Sequence, residues 1–219
     1  MTVIWHVDDL KISHKNPEAV TKVIKYLDGI YPGVKVKRGK YHEYLGMDFD
    51  FATKGQVAVG MTDYMMRVIK EFPEDLGNAT APTPAQEFLF KVRPEDEAKK
   101  LPEKQAAQYH HVVAQLLFAS TRVRRDIQTA VAFLTTRVKA PDEDDWGKLK
   151  RVLKYIKGTI GLRLILKASS LSVIKWWVDA AFAIHYDCRG HTGAMMSFGE
   201  GAVTSKLLKQ KMNAGFIEI

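Results

Sequence analysis

The chain has 219 residues, of which 46% are hydrophobic and 26% are charged, with a formal net charge of +8. This composition excludes a wholly disordered chain and predicts one large or two small globular domains. Because Cys188 is the only cysteine and the sequence has neither a long apolar run nor a signal-peptide pattern, we expect an intracellular protein, cytoplasmic or nuclear, without a disulfide or a membrane partner.

The N-terminal segment predicts a hairpin followed by a helix. Residues 2–14 place β-forming side chains on both sides of Asp8 and Asp9, which predicts two short strands joined at an acidic turn. Asn16-Pro17-Glu18 then supplies a capping side chain, a proline and an acid in the order typical of a helix start. We expect this helix to end near Ile30, before a Tyr-Pro-Gly sequence.

The rest of the chain predicts strands, an irregular stretch, helices and strands again. The first strands are expected over residues 34–38, 41–51 and 56–61, and a helix over 62–72. Residues 73–105 contain five prolines and many charges, which predicts a linker or irregular strap. Three helices are expected at about 104–120, 124–138 and 142–157. Four strands are then expected at 162–167, 172–180, 192–198 and 202–208.

Nearly all of the excess positive charge lies in residues 106–168, which carry 12 Lys or Arg residues and 5 Asp or Glu residues. A concentrated basic surface attracts polyanions, and phosphate contacts dominate the affinity of proteins for nucleic acid. A solvated helix face accounts for the same charge pattern equally well. Under the first interpretation, the candidate phosphate-binding residues are Arg122, Arg124, Arg125, Lys148, Arg151, Lys154 and Lys157.

Adjacent carboxylates at Asp8 and Asp9 form the sharpest motif of the sequence. Polymerases join nucleotides by in-line attack on a phosphate, and two Mg²⁺ ions stabilise the attacking and leaving oxygens. Mg²⁺ takes few carboxylates and completes its coordination with water and substrate phosphate, so a tight turn is a suitable place for them. Taken alone, however, an Asp pair on a turn is more commonly a solvated turn.

Several ordered blocks resemble one known family. The segment TVIWHVDDLKIS resembles the strand-turn-strand of reverse transcriptases, whose catalytic hairpin reads aromatic-X-Asp-Asp, with His6 at the aromatic position here. Later blocks resemble successive parts of the Ty1/copia family, namely residues 40–47, 61–64, 81–85, 115–127 and 146–159. The chain is therefore similar to the reverse transcriptase of Ty1/copia-type retrotransposons, in the C-terminal part of the Pol polyprotein.

A further block resembles the RNase H domain of the same family. The segment WWVDAAFA is similar to its first strand, in which the acid corresponding to Asp179 is a Mg²⁺ ligand. Residues 189–194 and 203–206 resemble the second and third strands. The family's next acidic ligand is a glutamate on the following helix, and Glu218 does not align with it.

The resemblance implies that Asp8, Asp9 and Asp179 are catalytic residues that bind Mg²⁺ or Mn²⁺ in the complete enzyme. It also implies that a third palm carboxylate lies upstream of Met1, so we expect the isolated chain to be inactive. The partners implied are an RNA/DNA template-primer and the remaining polymerase segments of the parent polyprotein.

The fold expected from this resemblance is α+β. Its parts are a partial reverse transcriptase palm of hairpin, helix and antiparallel strands (1–72), an extended strap (73–105), a basic helical thumb and connection (106–168) and an incomplete RNase H-like sheet (169–219).

Two functional hypotheses remain open. In the first, the chain is a fragment of an RNA-directed DNA polymerase with RNase H that acts by two-metal phosphoryl transfer. In the second, it is a non-catalytic, degenerate remnant that only binds nucleic acid through its basic helices. An unrelated metal-dependent hydrolase does not explain the later blocks.

A zinc site is the weakest candidate. His185, Cys188 and His191 recur at three-residue spacing. A structural zinc ion requires four ligands, and the sequence offers no clear fourth, so we do not favour this interpretation.

Overall fold

The computed structural model describes residues 1–211, which form ten β-strands and five α-helices. The strands are β1 Thr2–His6, β2 Asp9–Ser13, β3 Tyr41–Tyr44, β4 Met47–Asp50, β5 Gln56–Gly60, β6 Leu164–Ala168, β7 Lys175–Ala181, β8 His191–Ser197, β9 Gly199–Glu200 and β10 Thr204–Lys209. The helices are α1 Pro17–Ile30, α2 Thr62–Glu71, α3 Glu103–Ser120, α4 Gln128–Thr135 and α5 Glu143–Gly158. Residues 212–219, the end of the predicted RNase H-like segment, lie outside the described part.

The strands form three antiparallel sheets. They are the β1–β2 hairpin, a three-stranded sheet in the order β10-β8-β7, and a five-stranded sheet in the order β3-β4-β5-β6-β9. The chain is thus a mixture of helices and antiparallel sheets, which is compatible with the α+β class predicted from the sequence.

The hydrophobic core lies mainly between helices α2 to α5. On α5 the apolar side chains recur at three- and four-residue spacing, and Leu149, Leu153 and Ile156 are completely buried. Full burial of a side chain of this size contributes roughly 1.5–3 kcal/mol. Tyr109 of α3 is also buried, and its hydroxyl donates a hydrogen bond of 3.1 Å to the carbonyl of Leu134 in α4. None of the helices in residues 1–211 is both long and apolar enough to cross a membrane.

The start of α5 is fixed by a capping box. The carboxylate of Asp142 accepts from the amide of Asp145 at 2.9 Å, and that of Asp145 accepts from the amide of Asp142 at 3.1 Å. Both acids are buried, and the Arg137 guanidinium donates to each of them. The start that the sequence predicts for this helix, near residue 142, is therefore confirmed.

Two strand predictions are wrong. Residues 34–38 belong to no strand, because side chains rather than a neighbouring strand hold them. Residues 41–51 were expected to form one strand, but they form the β3–β4 hairpin. Leu45 and Gly46 make its turn with φ angles of +54° and +70°. Such left-handed conformations at both central residues are those of a tight hairpin turn.

The five-stranded sheet joins distant parts of the chain. Its strand β6 pairs with β5 from Gln56 opposite Lys167 to Val59 opposite Leu164, and β9 lies on the other side of β6. The sheet therefore contains strands from the predicted palm, thumb and RNase H-like segments. The division into those segments stays a prediction.

Candidate active-site hairpin and basic surfaces

The predicted acidic hairpin is present. Strands β1 and β2 pair in an antiparallel register that ends with His6 opposite Asp9, so Val7 and Asp8 form a two-residue turn. Val7 adopts a φ of +54°, which is rare for a β-branched residue and costs on the order of 1–3 kcal/mol. Asp8 and Asp9 are both exposed. The fold therefore presents the two carboxylates at the open tip of a hairpin.

The donor set at this tip does not complete a two-metal centre. In the described part of the chain, no three His, Cys, Asp or Glu side chains come together as a metal-binding group. Asp8 and Asp9 alone offer two neighbouring carboxylates. A two-metal centre needs ligands that hold both ions on either side of the reacting phosphate. Within residues 1–211, Asp8 and Asp9 therefore offer carboxylates for a cation but do not make up a complete two-metal centre.

Asp179 does not join Asp8 and Asp9 in a metal-binding group within the described residues. It stands in the middle of β7, opposite Gly193 of β8, and its Oδ1 atom accepts from the backbone amide of Ala180 at 2.8 Å. The whole of β7 is exposed, including both Trp176 and Trp177. Glu218, the other acid considered for this segment, lies outside the described residues.

The predicted zinc ligands come together only in part. His185 and His191 are both buried and in contact, whereas Cys188 is exposed. Since no three-ligand group is found over residues 1–211, these residues do not form the zinc site considered from their spacing.

The basic face of α5 contacts the irregular stretch before α3. The last three residues of the predicted strap belong to α3, so the name strap is kept for residues 73–102. Lys148 and Lys157 donate to backbone carbonyls of the strap, and Arg151 donates to the Thr83 hydroxyl at 2.9 Å. Burial lowers the pKa of Lys148, against the opposing effect of nearby acids. Lys154 is half-buried and has no hydrogen bond or ion pair within residues 1–211. Three of the four predicted phosphate contacts on α5 are therefore occupied by acceptors of the chain itself.

Arg124 is an interior residue. Its side chain is 2% exposed and forms an ion pair of 2.8 Å with Asp126. Its guanidinium also donates to the hydroxyl of Thr159 at 2.7 Å and to the Thr159 carbonyl at 3.3 Å. A guanidinium enclosed in this way ties the end of α5 to the turn after α3, and in this conformation it is not accessible to a phosphate.

The other two arginines of this turn are half-buried. Arg125 donates to the Ser205 hydroxyl at 3.0 Å, and burial lowers the pKa of its guanidinium. Arg122 stacks on the Phe118 ring at 3.6 Å from the ring centroid and makes no ion pair within the described residues. The predicted basic surface is therefore reduced mainly to Arg122 and Lys154.

A groove of about 740 Å³ lies between the strap and the first half of α5. Its walls include Phe88, Leu89 and Val92 of the strap, with Lys148 and Arg151 on the helix side. Asp8, Asp9 and Asp179 do not line it.

A second basic surface was missed from the sequence. Residues 11–40 carry eight Lys or Arg residues and only two Asp or Glu residues. Seven of the eight basic residues are exposed, and Lys11 is half-buried. Over residues 1–72 as a whole, the positive charge of this segment is nearly balanced, because the flanking segments are acidic. A shorter window would have revealed this segment.

Two transposon proteins are among the known proteins that are similar to this chain. The chain is 26% identical over 207 residues to a protein named for transposon Ty5-1 in Saccharomyces cerevisiae, which covers 93% of this chain and 65% of that protein. It is 33% identical over 104 residues to the retrovirus-related Pol polyprotein from transposon TNT 1-94 of Nicotiana tabacum, which covers 46% of this chain and 8% of that polyprotein. The chain thus spans less than two thirds of either relative.

No family model matches the chain, and no solved structure matches it. Both relatives are named for transposons, in agreement with the resemblance of the ordered motifs to the Ty1/copia family. The chain is therefore a homologue of retrotransposon Pol proteins.

Proposed function

We propose that this chain is a part of a retrotransposon reverse transcriptase that binds primer-template nucleic acid and supplies two of the metal-binding carboxylates of the polymerase. The observation that carries the proposal is the geometry of the β1–β2 hairpin. Its register leaves Asp8 in a two-residue turn and Asp9 at the first position of the following strand. The sequence similarity to a Pol polyprotein supports the same function.

The hairpin tip suits a role beside a polyanionic substrate. Neither Asp8 nor Asp9 forms an ion pair within residues 1–211, so both carboxylates are free to bind a cation. A divalent cation supplies charge stabilisation for the transferred phosphate when it is bound. Since two carboxylates do not complete the centre, polymerisation requires further ligands from another segment of the parent polyprotein.

Primer extension tests this proposal directly. The chain and an Asp8→Asn, Asp9→Asn variant are incubated with a poly-rA template, an oligo-dT primer and Mg²⁺ or Mn²⁺. We expect no extension by either protein. Extension by the unchanged chain and not by the variant would show that residues of this chain complete the site. This result would contradict the inference that the metal centre is incomplete.

A metal titration tests the hairpin even when neither protein extends a primer. Paramagnetic broadening of backbone NMR signals by Mn²⁺ is expected around residues 6–10 and is expected to disappear in the Asp8→Asn, Asp9→Asn variant. The control is Glu95→Gln, Asp96→Asn, which removes an adjacent acid pair from an exposed part of the strap. Broadening that persists in the hairpin variant would contradict metal binding at Asp8 and Asp9.

A second candidate is a non-catalytic remnant that only binds nucleic acid. It is favoured by the incomplete donor set at the hairpin tip. Fluorescence anisotropy with a labelled RNA/DNA duplex, repeated over a range of salt concentrations, measures this property. Salt-sensitive binding by both the chain and its Asn variant, without extension, supports the remnant. Absence of duplex binding contradicts both candidates.

A further inference from the structure

The basic residues of segment 11–40 have no anionic partners within the described part of the chain. Within residues 1–211, none of these eight Lys and Arg side chains forms an ion pair. The two acids of the segment do not neutralise them: Glu18 stands at the start of α1, and Asp28 accepts hydrogen bonds from the backbone amides of Gly33 and Val34. The segment therefore carries a local net charge of +6 on an open surface.

The chain after α1 runs back along the helix. At one end, the Asp28 carboxylate accepts from the Val34 amide at 3.1 Å. At the other end, the Arg38 guanidinium donates to the Thr21 hydroxyl at 3.0 Å. On α1, Thr21 and Asp28 are seven residues apart, which corresponds to about 10 Å along the helix axis. Val34 and Arg38 are four residues apart, and an extended segment of that length covers this distance. Lys35 and Lys37 are thereby held beside α1 rather than on a loose loop.

The exposed face of α1 combines cations with an aromatic ring. Lys22 and Tyr26 are four residues apart and Lys25 is three residues from Lys22, so the three side chains share one face of the helix. Tyr26 is 70% exposed, and Tyr31, which follows the helix, is 68% exposed. The helix has no fully buried residue. Two exposed tyrosines therefore lie on the same part of the chain as the lysines.

We propose that this surface binds single-stranded nucleic acid. We call it the α1 surface and define it by Lys22, Lys25, Tyr26, Tyr31, Lys35 and Lys37. Lysines along two parallel segments match a chain of phosphates, and exposed aromatic rings stack on bases. Stacking requires unpaired bases, because a duplex encloses the base faces between neighbouring pairs. The inference takes the class of partner from the proposed function and is otherwise independent of the Asp8–Asp9 hairpin.

The first test removes four charges from the α1 surface. Lys22, Lys25, Lys35 and Lys37 are replaced together by Gln, and binding to a fluorescein-labelled 20-nucleotide oligo-dT or oligo-rU is followed by anisotropy. Each phosphate contact contributes about 0.7 to the slope of log affinity against log salt for single strands. We expect the slope to fall by about 3 and the affinity at 0.1 M salt to fall on the order of 100-fold.

A matched variant separates this surface from net charge. Lys54, Lys70, Lys104 and Lys139 are also exposed, and their replacement by Gln changes the net charge by the same amount. We expect this variant to keep most of the affinity of the unchanged chain. Equal losses in the two variants would overturn the proposal, since they would show attraction by total charge alone.

The tyrosines provide the second test. A Tyr26→Ala, Tyr31→Ala variant is expected to bind the single strand about tenfold more weakly with an unchanged salt slope, because stacking releases no counterions. Its affinity for a duplex of the same length is expected to change little. Unchanged binding of the single strand would contradict the role of the aromatic rings.

Three further measurements exclude the remaining alternatives. Circular dichroism at increasing temperature shows whether each variant is folded, and a Lys→Arg variant at the same four positions is expected to restore binding. Flotation with phosphatidylserine vesicles tests an anionic membrane as partner, and stronger binding to vesicles than to the oligonucleotide would overturn the proposal. Failure of Mn²⁺ to bind at Asp8 and Asp9 would contradict the proposed function but would not affect any of these outcomes, so the two failures are distinguishable.

Discussion

The Nε2 atom of His185 lies 3.1 Å from the Nδ1 atom of His191, and both imidazole rings are buried. The edge or face of each ring also contacts Phe90 of the strap, with ring centroids 5.1 Å and 5.6 Å away. Phe90 in turn packs on Phe133 of α4. The histidine pair therefore connects the β8 end of the three-stranded sheet to the strap and the helices.

The first prediction concerns pH. Burial lowers the pKa of His185 to about 4, and the charge of Lys209 and the neighbouring His191 act in the same direction. In the unfolded chain His185 takes up a proton near pH 6.5, whereas in the folded chain it takes up a proton only near pH 4. The free energy of unfolding is therefore fully maintained above pH 6.5 and decreases as the pH falls from 6.5 towards 4.

Urea unfolding at several pH values measures this loss. A His185→Gln variant is expected to show a smaller decrease between pH 6.5 and 4 than the unchanged chain. His14 is exposed, so a His14→Gln variant is expected to retain the full decrease. Identical pH dependence in the unchanged chain and the His185 variant would contradict the assignment of this loss of stability to His185.

The second prediction concerns the buried charges at the start of α5. Arg137 donates to Asp145 at 2.8 Å and to Asp142 at 3.2 Å, and burial raises the pKa of Asp145 in spite of this arginine. An Arg137→Met variant leaves two buried carboxylates without a cation. We expect it to lower the free energy of unfolding by about 3–5 kcal/mol, as determined by urea denaturation.

An exposed pair nearby supplies the comparison. Arg93 and Asp144 are joined by a contact of 2.5 Å, but their side chains are 56% and 40% exposed. Because solvent screens such a pair, an Arg93→Met variant is expected to lower the free energy of unfolding far less than Arg137→Met does. Comparable losses in both variants would show that burial of the Arg137 network does not matter.

The third prediction concerns the strap. The Glu74 carboxylate accepts from the Trp146 indole and from Lys150, each at 2.6 Å. A Glu74→Ala variant removes both contacts from the beginning of the strap. We expect limited trypsin digestion to cleave after Lys91 several times faster, because local opening exposes the backbone. An unchanged cleavage rate would mean that the remaining contacts with α5 suffice to hold the strap.

The fourth prediction concerns association through β7, which is an edge strand in the described part of the chain. Val178 lies in the middle of this strand and is 70% exposed. A Val178→Lys variant is expected to form fewer oligomers at high concentration in size-exclusion chromatography with light scattering, because a charge opposes edge-to-edge pairing. Leu171→Lys makes the same change at an exposed residue outside the strand. An equal effect of both variants would indicate general hydrophobic association instead.

The sequence predicted correctly those elements that are determined by a short stretch of neighbouring residues. The acidic turn at Asp8 was visible because β-forming residues flank it, and the start of α5 was visible because acids precede an apolar helical pattern. The turn at Leu45 and Gly46 was not, because a leucine with positive φ has no sequence signature. The absence of a strand at 34–38 likewise depends on contacts with Asp28 and Thr21 of α1.

The candidate sites were predicted less completely than the fold. Charge alone placed Arg124 and Lys148 on a nucleic-acid surface, yet their acceptors lie 35 and 57 positions away along the chain, at Thr159 and Lys91. No window of sequence reveals partners at such distances. Conversely, Lys22 on α1 is exposed and forms no ion pair within the described residues, which the sequence does not specify either.

The pairing of β5 with β6 has a consequence for how the chain folds. These strands enclose more than one hundred residues, including helices α2 to α5, in a loop closed by backbone hydrogen bonds. Contacts of this kind raise the contact order and slow folding. During synthesis β5 has no partner on that side until β6 leaves the ribosome, so the helical core is expected to assemble first and the central sheet last.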